Sequence, residues 1–191
     1  MGMKEENGQP ADKAVVDEVL AGRVEAFSLL VWRWERPLYS FLVRLSGDRE
    51  LARDLSQDAF LRAFTRLKDL RDKEKFAPWL FRIAVHAFWS HVRSRPAPAD
   101  SGGQAAIPQP GTDLHGSVLG SQEHQLAVRE LILRLPQEQR EALLLKVYHG
   151  FKFDEIATIV DCPASTVKSR LYKAFETIRA AWDDPNPPEN P

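Results

Sequence analysis

Hydrophobic residues recur at three- and four-residue spacing along most of this 191-residue chain. That periodicity is typical of amphipathic helices, and we find none of the alternating apolar and polar runs that indicate strands. The spacing predicts helices at residues 17–30, 36–45, 49–70, 78–94, 123–134, 137–150, 154–160 and 163–182. We therefore assign the chain to the all-α fold class.

Prolines and glycines mark the predicted ends of these helices. Glycine favours the residue that follows a helix, and proline is tolerated in the first helical turn, where the missing N–H costs nothing. First-turn positions fit Pro37, Pro78, Pro136 and Pro163, and C-terminal ends fit Gly47 and Gly150.

The residues that follow position 95 interrupt the helical pattern. They concentrate Pro, Gly, Ala and Ser, a composition that buries too little apolar surface to offset the entropy of ordering. We predict two small helical domains joined by a flexible linker, with a helix-turn-helix in a four-helix C-terminal domain. The predicted boundaries are a disordered N-terminus at 1–13, a first module at 14–95, the linker at 96–120, a second module at 121–182 and a disordered tail at 183–191.

Composition narrows the class of protein. Hydrophobic residues make up 43% of the chain and charged residues 28%, as in soluble globular proteins. No apolar run approaches the roughly 20 residues that span a bilayer, and the N-terminus lacks a signal-peptide core, so we expect a cytoplasmic protein without membrane insertion. The single cysteine, Cys162, excludes an intramolecular disulfide and a cysteine-rich zinc site, and a packing role is favoured over a reactive nucleophile. We expect no cofactor and no metal.

Residues 153–179 have the pattern of a helix-turn-helix. A short apolar helix is followed by Asp161 and Cys162 at the turn, and then by a helix whose outer face is polar and cationic. This recognition face comprises Ser165, Thr166, Lys168, Ser169, Arg170, Tyr172 and Lys173. Short hydrogen-bonding side chains beside long cations are typical of a helix that enters the DNA major groove. The alternative is an ordinary amphipathic helix with a solvated face.

Residues 76–95 contain no acidic side chain and are apolar around most of the helical circumference. The remaining aromatic–basic stripe comprises Trp79, Arg82, His86, Trp89 and Arg93. Bases stack on tryptophan while arginine follows phosphates, so the stripe suits single-stranded nucleic acid. The alternative is that the tryptophans belong to the core and the arginines extend past it into solvent.

A third surface lies on the predicted helix at 49–70. Its acidic face comprises Glu50, Asp54, Gln57, Asp58 and Leu61. An acidic face centred on an aliphatic side chain repels DNA but suits a basic protein partner. The alternative is plain solvated surface.

Together these segments resemble bacterial sigma factors of the extracytoplasmic-function group. The strings "DLSQDAF" and "FAPWLFRIA", in this order, resemble the second conserved region of the family, and residues 133–179 resemble the fourth. The resemblance implies a subunit that binds core RNA polymerase, directs it to promoter DNA and helps to open the duplex, and it implies an anti-sigma partner. It also implies that the recognition face reads the minus-thirty-five element and that the aromatic–basic stripe captures the minus-ten element. The motif implied to bind core polymerase contains Asp54, Leu55, Gln57, Asp58 and Phe60, to which the acidic face adds Leu61.

Four positions depart from the family pattern. His86 and Ser90 replace a common Asn and Asp, which leaves the promoter preference open, while Lys152 replaces a Ser or Thr cap and Asp161 replaces a glycine.

Two other function classes are alternatives to a sigma factor. A two-domain helix-turn-helix regulator that never joins polymerase leaves the acidic face unexplained, and an enzyme has little support because no metal-ligand cluster, phosphate loop or activated nucleophile is found. We expect no catalytic residues.

Overall fold

The computed structural model describes residues 10–94 and 122–183, and every regular element in these ranges is helical. The helices are α1 (Asp12–Leu20), α2 (Phe27–Ser46), α3 (Arg49–Thr65), α4 (Phe76–Ser94), α5 (Gln122–Arg134), α6 (Gln137–Leu143), α7 (Phe153–Ile159) and α8 (Ala164–Asp183). A π-helical segment, Leu144–Tyr148, extends α6. The all-α prediction is confirmed, while the predicted linker at 96–120 lies outside the described residues.

The first module packs α2, α3 and α4 around one core, with α1 laid against α2. Its largest fully buried side chains include Leu38, Phe41, Phe76 and Phe81. Asp12 fixes α1 to α2, because its carboxylate pairs with the Arg33 guanidinium and accepts a hydrogen bond from the indole of Trp34. α1 thus begins at Asp12, inside the segment that the sequence predicted to be disordered.

Two helix predictions in the first module were wrong. The predicted helix at 17–30 is broken at Gly22, whose φ of 101° is a backbone conformation that side chains disfavour. Pro37, predicted to open a helix at 36, lies instead inside α2, which continues from Phe27 to Ser46. Buried residues on both sides of Pro37, including Trp34 and Leu38, hold the helix together across the missing N–H.

The predicted glycine ends are confirmed. Gly47 follows α2 with a φ of 76°, and its N–H donates to the Val43 carbonyl at 2.8 Å. Asp48 then caps α3, since its side chain accepts hydrogen bonds from the backbone N–H groups of Glu50 and Leu51. Gly150, with a φ of 67°, turns the chain after the π-helical segment.

The two modules pack against each other. The imidazole of His149, from the second module, lies 4.8 Å from the ring of Phe81 and 5.7 Å from the ring of Phe41, measured between centroids. Phe151 adds a further edge contact to Phe81 at 5.1 Å. One guanidinium N–H of Arg140 donates to the Leu45 carbonyl at the end of α2 at 2.7 Å. Aromatic packing and a partly buried hydrogen bond therefore join the modules.

Candidate functional site

The acidic face lies on the outer side of α3. Asp54 and Gln57 are exposed, and Leu61 presents 67% of its surface to solvent. Asp58 is half-buried and pairs with Arg62 one turn later, with 2.8 Å between Nη2 and Oδ2. An exposed aliphatic side chain among carboxylates is a suitable contact for a basic, partly apolar partner.

Two residues of the implied polymerase-binding motif are not on this face. Leu55 is 7% exposed and Phe60 is 8% exposed, and both belong to the core of the first module. In this structure their side chains point into the core, and their contact with polymerase stays a prediction. They fix α3 against the core, and so set the direction in which Asp54, Asp58 and Leu61 point.

Most of the recognition face lies on the outer side of α8. Ser165, Lys168, Ser169, Tyr172 and Lys173 are exposed. Tyr172 has 68% of its surface in solvent, so its hydroxyl can reach a ligand. These side chains form a continuous surface rich in hydrogen-bond donors on the first half of α8.

Arg170 and Thr166 lie at the margin of that surface. The Arg170 guanidinium pairs with Glu138 at 2.8 Å between Nη2 and Oε2, and its side chain is only 21% exposed. Another of its N–H groups donates to the sulfur of Cys162 at 3.5 Å. Arg170 therefore holds α8 against α6, and its contact with DNA stays a prediction.

The turn between α7 and α8 has the predicted geometry. Asp161 adopts a φ of 54°, the left-handed conformation that Asp tolerates better than most residues. The start of α7 is capped by Glu155, whose carboxylate accepts the backbone N–H of Lys152 at 2.9 Å. Glu155 thus replaces the missing Ser or Thr cap.

The aromatic–basic stripe lies on the side of α4 that faces the second module. His86, Trp89 and Arg93 line a cavity of about 380 Å³ between the modules, across from Glu138 and Glu141. Arg82 approaches Asp161 at 3.8 Å between Nη2 and Oδ1. Trp79 is half-buried and packs against the core of the first module, with its ring tilted by 52° to that of Phe76 at 6.2 Å between centroids.

Glu141 is the most unusual group at this cavity. It is 1% exposed, and its Oε1 atom has no hydrogen-bond partner among the described residues. Burial raises the pKa of the carboxyl to about 8, while the charge of Arg170 and hydrogen bonding from the Trp89 side chain act in the opposite direction. At neutral pH the carboxyl is therefore predominantly protonated.

His149 is half-buried as a neutral imidazole. Burial lowers its pKa to about 4, and the nearby charge of Arg44 lowers it further. Its Nε2 atom has no hydrogen-bond partner among the residues that the structure describes. The ring therefore acts as an aromatic contact between modules, in keeping with its phenylalanine neighbours.

Sequence reasoning missed Glu141, His149 and Arg140. Each lies in a segment that the sequence assigned to a plain amphipathic helix, and each acquires its role from contact with the other module. The available signal was a charged residue at a core position of the helical repeat, since Glu141 directly precedes four buried residues, Ala142 and Leu143 of α6 and Leu144 and Leu145 of the π-helical segment.

Cys162 is a free thiol beside the turn. Burial raises its pKa, which keeps the thiol protonated and unreactive, as expected of a packing residue. Within residues 10–94 and 122–183, no group of His, Cys, Asp and Glu is placed to hold a metal ion. None of the helices in these ranges combines the length and apolar character needed to cross a membrane.

Comparison with protein families matches both modules. The family model for Sigma-70 region 2 matches residues 30–96, and the model for Sigma-70 region 4 matches residues 125–178. The chain is 31% identical over 182 residues to the RNA polymerase sigma-H factor of Pseudomonas aeruginosa, covering 91% of this chain and 94% of the relative. It is 32% identical over 181 residues to the ECF RNA polymerase sigma-E factor of Escherichia coli, covering 89% and 93%.

A solved structure has the same fold. The sigma factor RpoE of Bartonella quintana, crystallised with the anti-sigma factor NepR, superimposes with a TM-score of 0.69 at 26% identity. The match covers 84% of this chain and 98% of that one. Relatives that span both modules do not favour the alternative of a regulator that acts apart from polymerase. This chain belongs to the extracytoplasmic-function group of RNA polymerase sigma factors.

Proposed function

We propose that this sigma factor binds core RNA polymerase through the acidic face of α3. The face is exposed, it carries Asp54 and Asp58 beside Leu61, and the buried Leu55 and Phe60 hold its helix in a fixed orientation. Charge sets the orientation of a basic partner, and the leucine supplies apolar contact. The face belongs to the segment matched by Sigma-70 region 2, which supports this assignment.

We further propose that the recognition face of α8 contacts the minus-thirty-five element and that the aromatic–basic stripe of α4 contacts the minus-ten strand. Exposed serines, lysines and Tyr172 on α8 can reach phosphates and base edges. The stripe offers tryptophan rings for stacking and arginines for phosphates. The protein then acts in the cytoplasm beside polymerase and contributes no bond-making chemistry of its own.

An anti-sigma factor is proposed as a regulatory partner. The structurally similar RpoE of Bartonella quintana was crystallised with an anti-sigma factor, NepR. A partner of this class would cover the surfaces that contact polymerase or promoter DNA. Copurification from the native host tests the proposal, and a protein that is always free and active would contradict it.

The observation that carries the proposal is the presence of both matched regions, in order, in one chain. A run-off transcription assay tests it directly. Core RNA polymerase is incubated with fragments of the native genome, with and without the purified protein. We expect promoter-specific transcripts only when the protein is present.

Charge reversal on the acidic face tests whether this face, rather than the overall charge of the module, binds core polymerase. We expect Asp54→Lys to abolish both the transcripts and the binding to core polymerase. Asp69→Lys makes the same charge change at an exposed site of the same module, away from the face, and serves as the matched control. Equal loss in both variants, or no loss in Asp54→Lys, would contradict the assignment of the face.

The recognition face is tested by the salt dependence of promoter binding. Lys173 is exposed on α8, and the Lys173→Ala variant removes one cation. If Lys173 contacts a phosphate, the slope of log K against log salt becomes about 0.9 less steep for the holoenzyme on duplex promoter DNA. An unchanged slope would remove Lys173 from the proposed contact set.

A further inference from the structure

The cavity between the modules has the size and composition of a small-ligand site. Its volume is about 380 Å³, and it lies where α4 of the first module faces α6 and α8 of the second. Pockets that bind small molecules measure roughly 300 to 1,000 Å³, often lie between domains, and combine apolar walls with a few polar groups. Trp89 and Val160 supply the apolar part of this cavity. The polar groups decide which ligand would fit.

Glu141 forms the inner end of the cavity. Its side chain lines the cavity, it is only 1% exposed, and its Oε1 atom has no hydrogen-bond partner among the described residues. A buried polar atom without a partner costs free energy, which a ligand that donates a hydrogen bond would recover. The last torsion of a glutamate side chain is soft, so the carboxyl can turn this oxygen toward a ligand in the cavity.

The charges around the cavity favour a cationic ligand. The Arg170 guanidinium pairs with Glu138 at 2.8 Å, so these two lining charges neutralise each other. Arg93 is exposed, and its long side chain can extend into solvent. Glu141 at the inner end and Asp161 at the mouth, whose side chain is 74% exposed, remain to attract a ligand.

A primary ammonium group suits this arrangement. It donates up to three hydrogen bonds, and the face of an indole ring attracts it. Because acids lie at both ends of the cavity, a short chain with an ammonium at each end can contact Glu141 and Asp161 together, with its methylene groups against Trp89. Arg82 approaches Asp161 only at 3.8 Å, an exposed ion pair that contributes little and leaves this carboxylate open to a second cation.

We propose that the cavity between the modules binds a small aliphatic diamine, with one ammonium group on the Glu141 carboxylate and the methylene chain against Trp89. This binding lies beyond the proposed function in transcription and does not depend on it. Burial raises the pKa of Glu141 to about 8, so at neutral pH the carboxyl releases its proton to the buffer when the ammonium binds. A ligand that contacts both modules also stabilises the folded chain by mass action.

Calorimetric titration of the full chain with putrescine, a four-carbon diamine, tests the proposal. Titrations at about pH 7 in Pipes and in Hepes, which differ in their heat of ionisation, count the protons released on binding. We expect one saturable site with nearly one proton released per putrescine, because a carboxyl with a pKa of about 8 is mostly protonated at this pH. Tetramethylammonium, a cation without an N–H donor, should bind much more weakly.

A matched pair of substitutions assigns the site. Glu141→Gln keeps the shape of the side chain and removes the acid. We expect this variant to bind putrescine at least about tenfold more weakly and to release no proton, since a charged hydrogen bond is lost. Glu130→Gln makes the same change at an exposed site of α5 and should bind putrescine as the wild-type protein does.

Three results would overturn the proposal. They are the absence of a saturable site at millimolar putrescine, binding without proton release, and equal affinity of Glu141→Gln and the wild-type protein. Equal weakening in Glu141→Gln and Glu130→Gln would indicate a general charge effect and overturn it as well. Run-off transcription without putrescine decides separately whether the protein is an active sigma factor, so the two proposals fail independently.

Discussion

Replacing Glu141 by glutamine should make the protein more stable at alkaline pH and leave it nearly unchanged at acidic pH. Glu141 is 1% exposed, it lies on α6 near Arg170 of α8 and Trp89 of α4, and burial raises its pKa to about 8. Glutamine has almost the same shape, keeps a carbonyl oxygen for Trp89 and never ionises. The variant therefore removes only the cost of a buried negative charge.

The expected size follows from the pKa. A carboxyl that holds its proton more tightly in the folded than in the unfolded chain stabilises the fold fully below its unfolded value of 4.5. That contribution falls as the pH rises and is lost above about pH 8. A change of this size corresponds to about 4 to 5 kcal/mol. Water that enters the neighbouring cavity would solvate the carboxylate, so we expect at least about 2 kcal/mol in practice.

Urea unfolding, followed by circular dichroism, provides the measurement. The unfolding free energies of both proteins are compared between about pH 5 and about pH 9. His149 also titrates with folding, but it is present in both proteins, so its contribution cancels in the difference. The carboxyl carbon resonance of Glu141 in the folded wild-type protein should titrate near pH 8.

A pH-independent difference between the two proteins would refute this reasoning. Such a result would mean that Glu141 is already ionised when folded, held by the charge of Arg170. The structure argues otherwise, because the Arg170 guanidinium is 2.8 Å from the Glu138 carboxylate and is therefore already neutralised. A glutamine variant that is less stable at every pH would lead to the same conclusion.

Three further substitutions test the backbone of α2, the contact between the modules and the turn at Gly150. Pro37→Ala should raise the free energy of unfolding by about 1 to 2 kcal/mol, since it restores a backbone donor inside α2, and an unchanged urea midpoint would contradict this. Arg140→Met should lower the free energy of unfolding by about 2 to 4 kcal/mol, because the carbonyls of Leu45, Leu133 and Leu135 lose their donor. A loss below about 1 kcal/mol would show that water replaces the guanidinium. Gly150→Ala should lower the free energy of unfolding by about 1 kcal/mol. The cause is backbone strain alone, since a Cβ at this position meets no atom within 4 Å. An unchanged thermal midpoint would exclude the strain.

The sequence predicted helices well where the apolar repeat and the end signals agreed. α3 and α4 begin within two residues of their predicted starts. The start of α3 is marked by Gly47, which ends α2, and by Asp48, which caps α3. The start of α4 is marked by the strongly apolar pattern from residue 76. It failed at Pro37, where local propensity indicated a boundary and packing overrode it. Burial of Trp34 and Leu38 on the same face outweighs one lost hydrogen bond.

The candidate surfaces were predictable to the extent that they depend on single helices. The exposed part of the recognition face and the acidic face follow from about 100° of rotation per residue, a local property. The contacts of Arg170 and Leu55 do not follow from one helix, because they depend on neighbouring elements, α6 for the first and the first-module core for the second. The environments of Glu141 and His149 could not be inferred, since each arises where two modules meet.

The two proposed DNA-binding surfaces differ in chemistry. Trp79 and Trp89 of the stripe on α4 are half-buried and pack against the core, so part of the apolar area of their rings is already withdrawn from water. The outer face of α8 is composed of Ser, Lys and Tyr side chains that water solvates well, and it stays exposed. Under the proposed function, a strand on α4 would therefore meet tryptophan rings that the core holds in place, whereas a duplex on α8 would meet polar side chains that exchange water for phosphates and base edges.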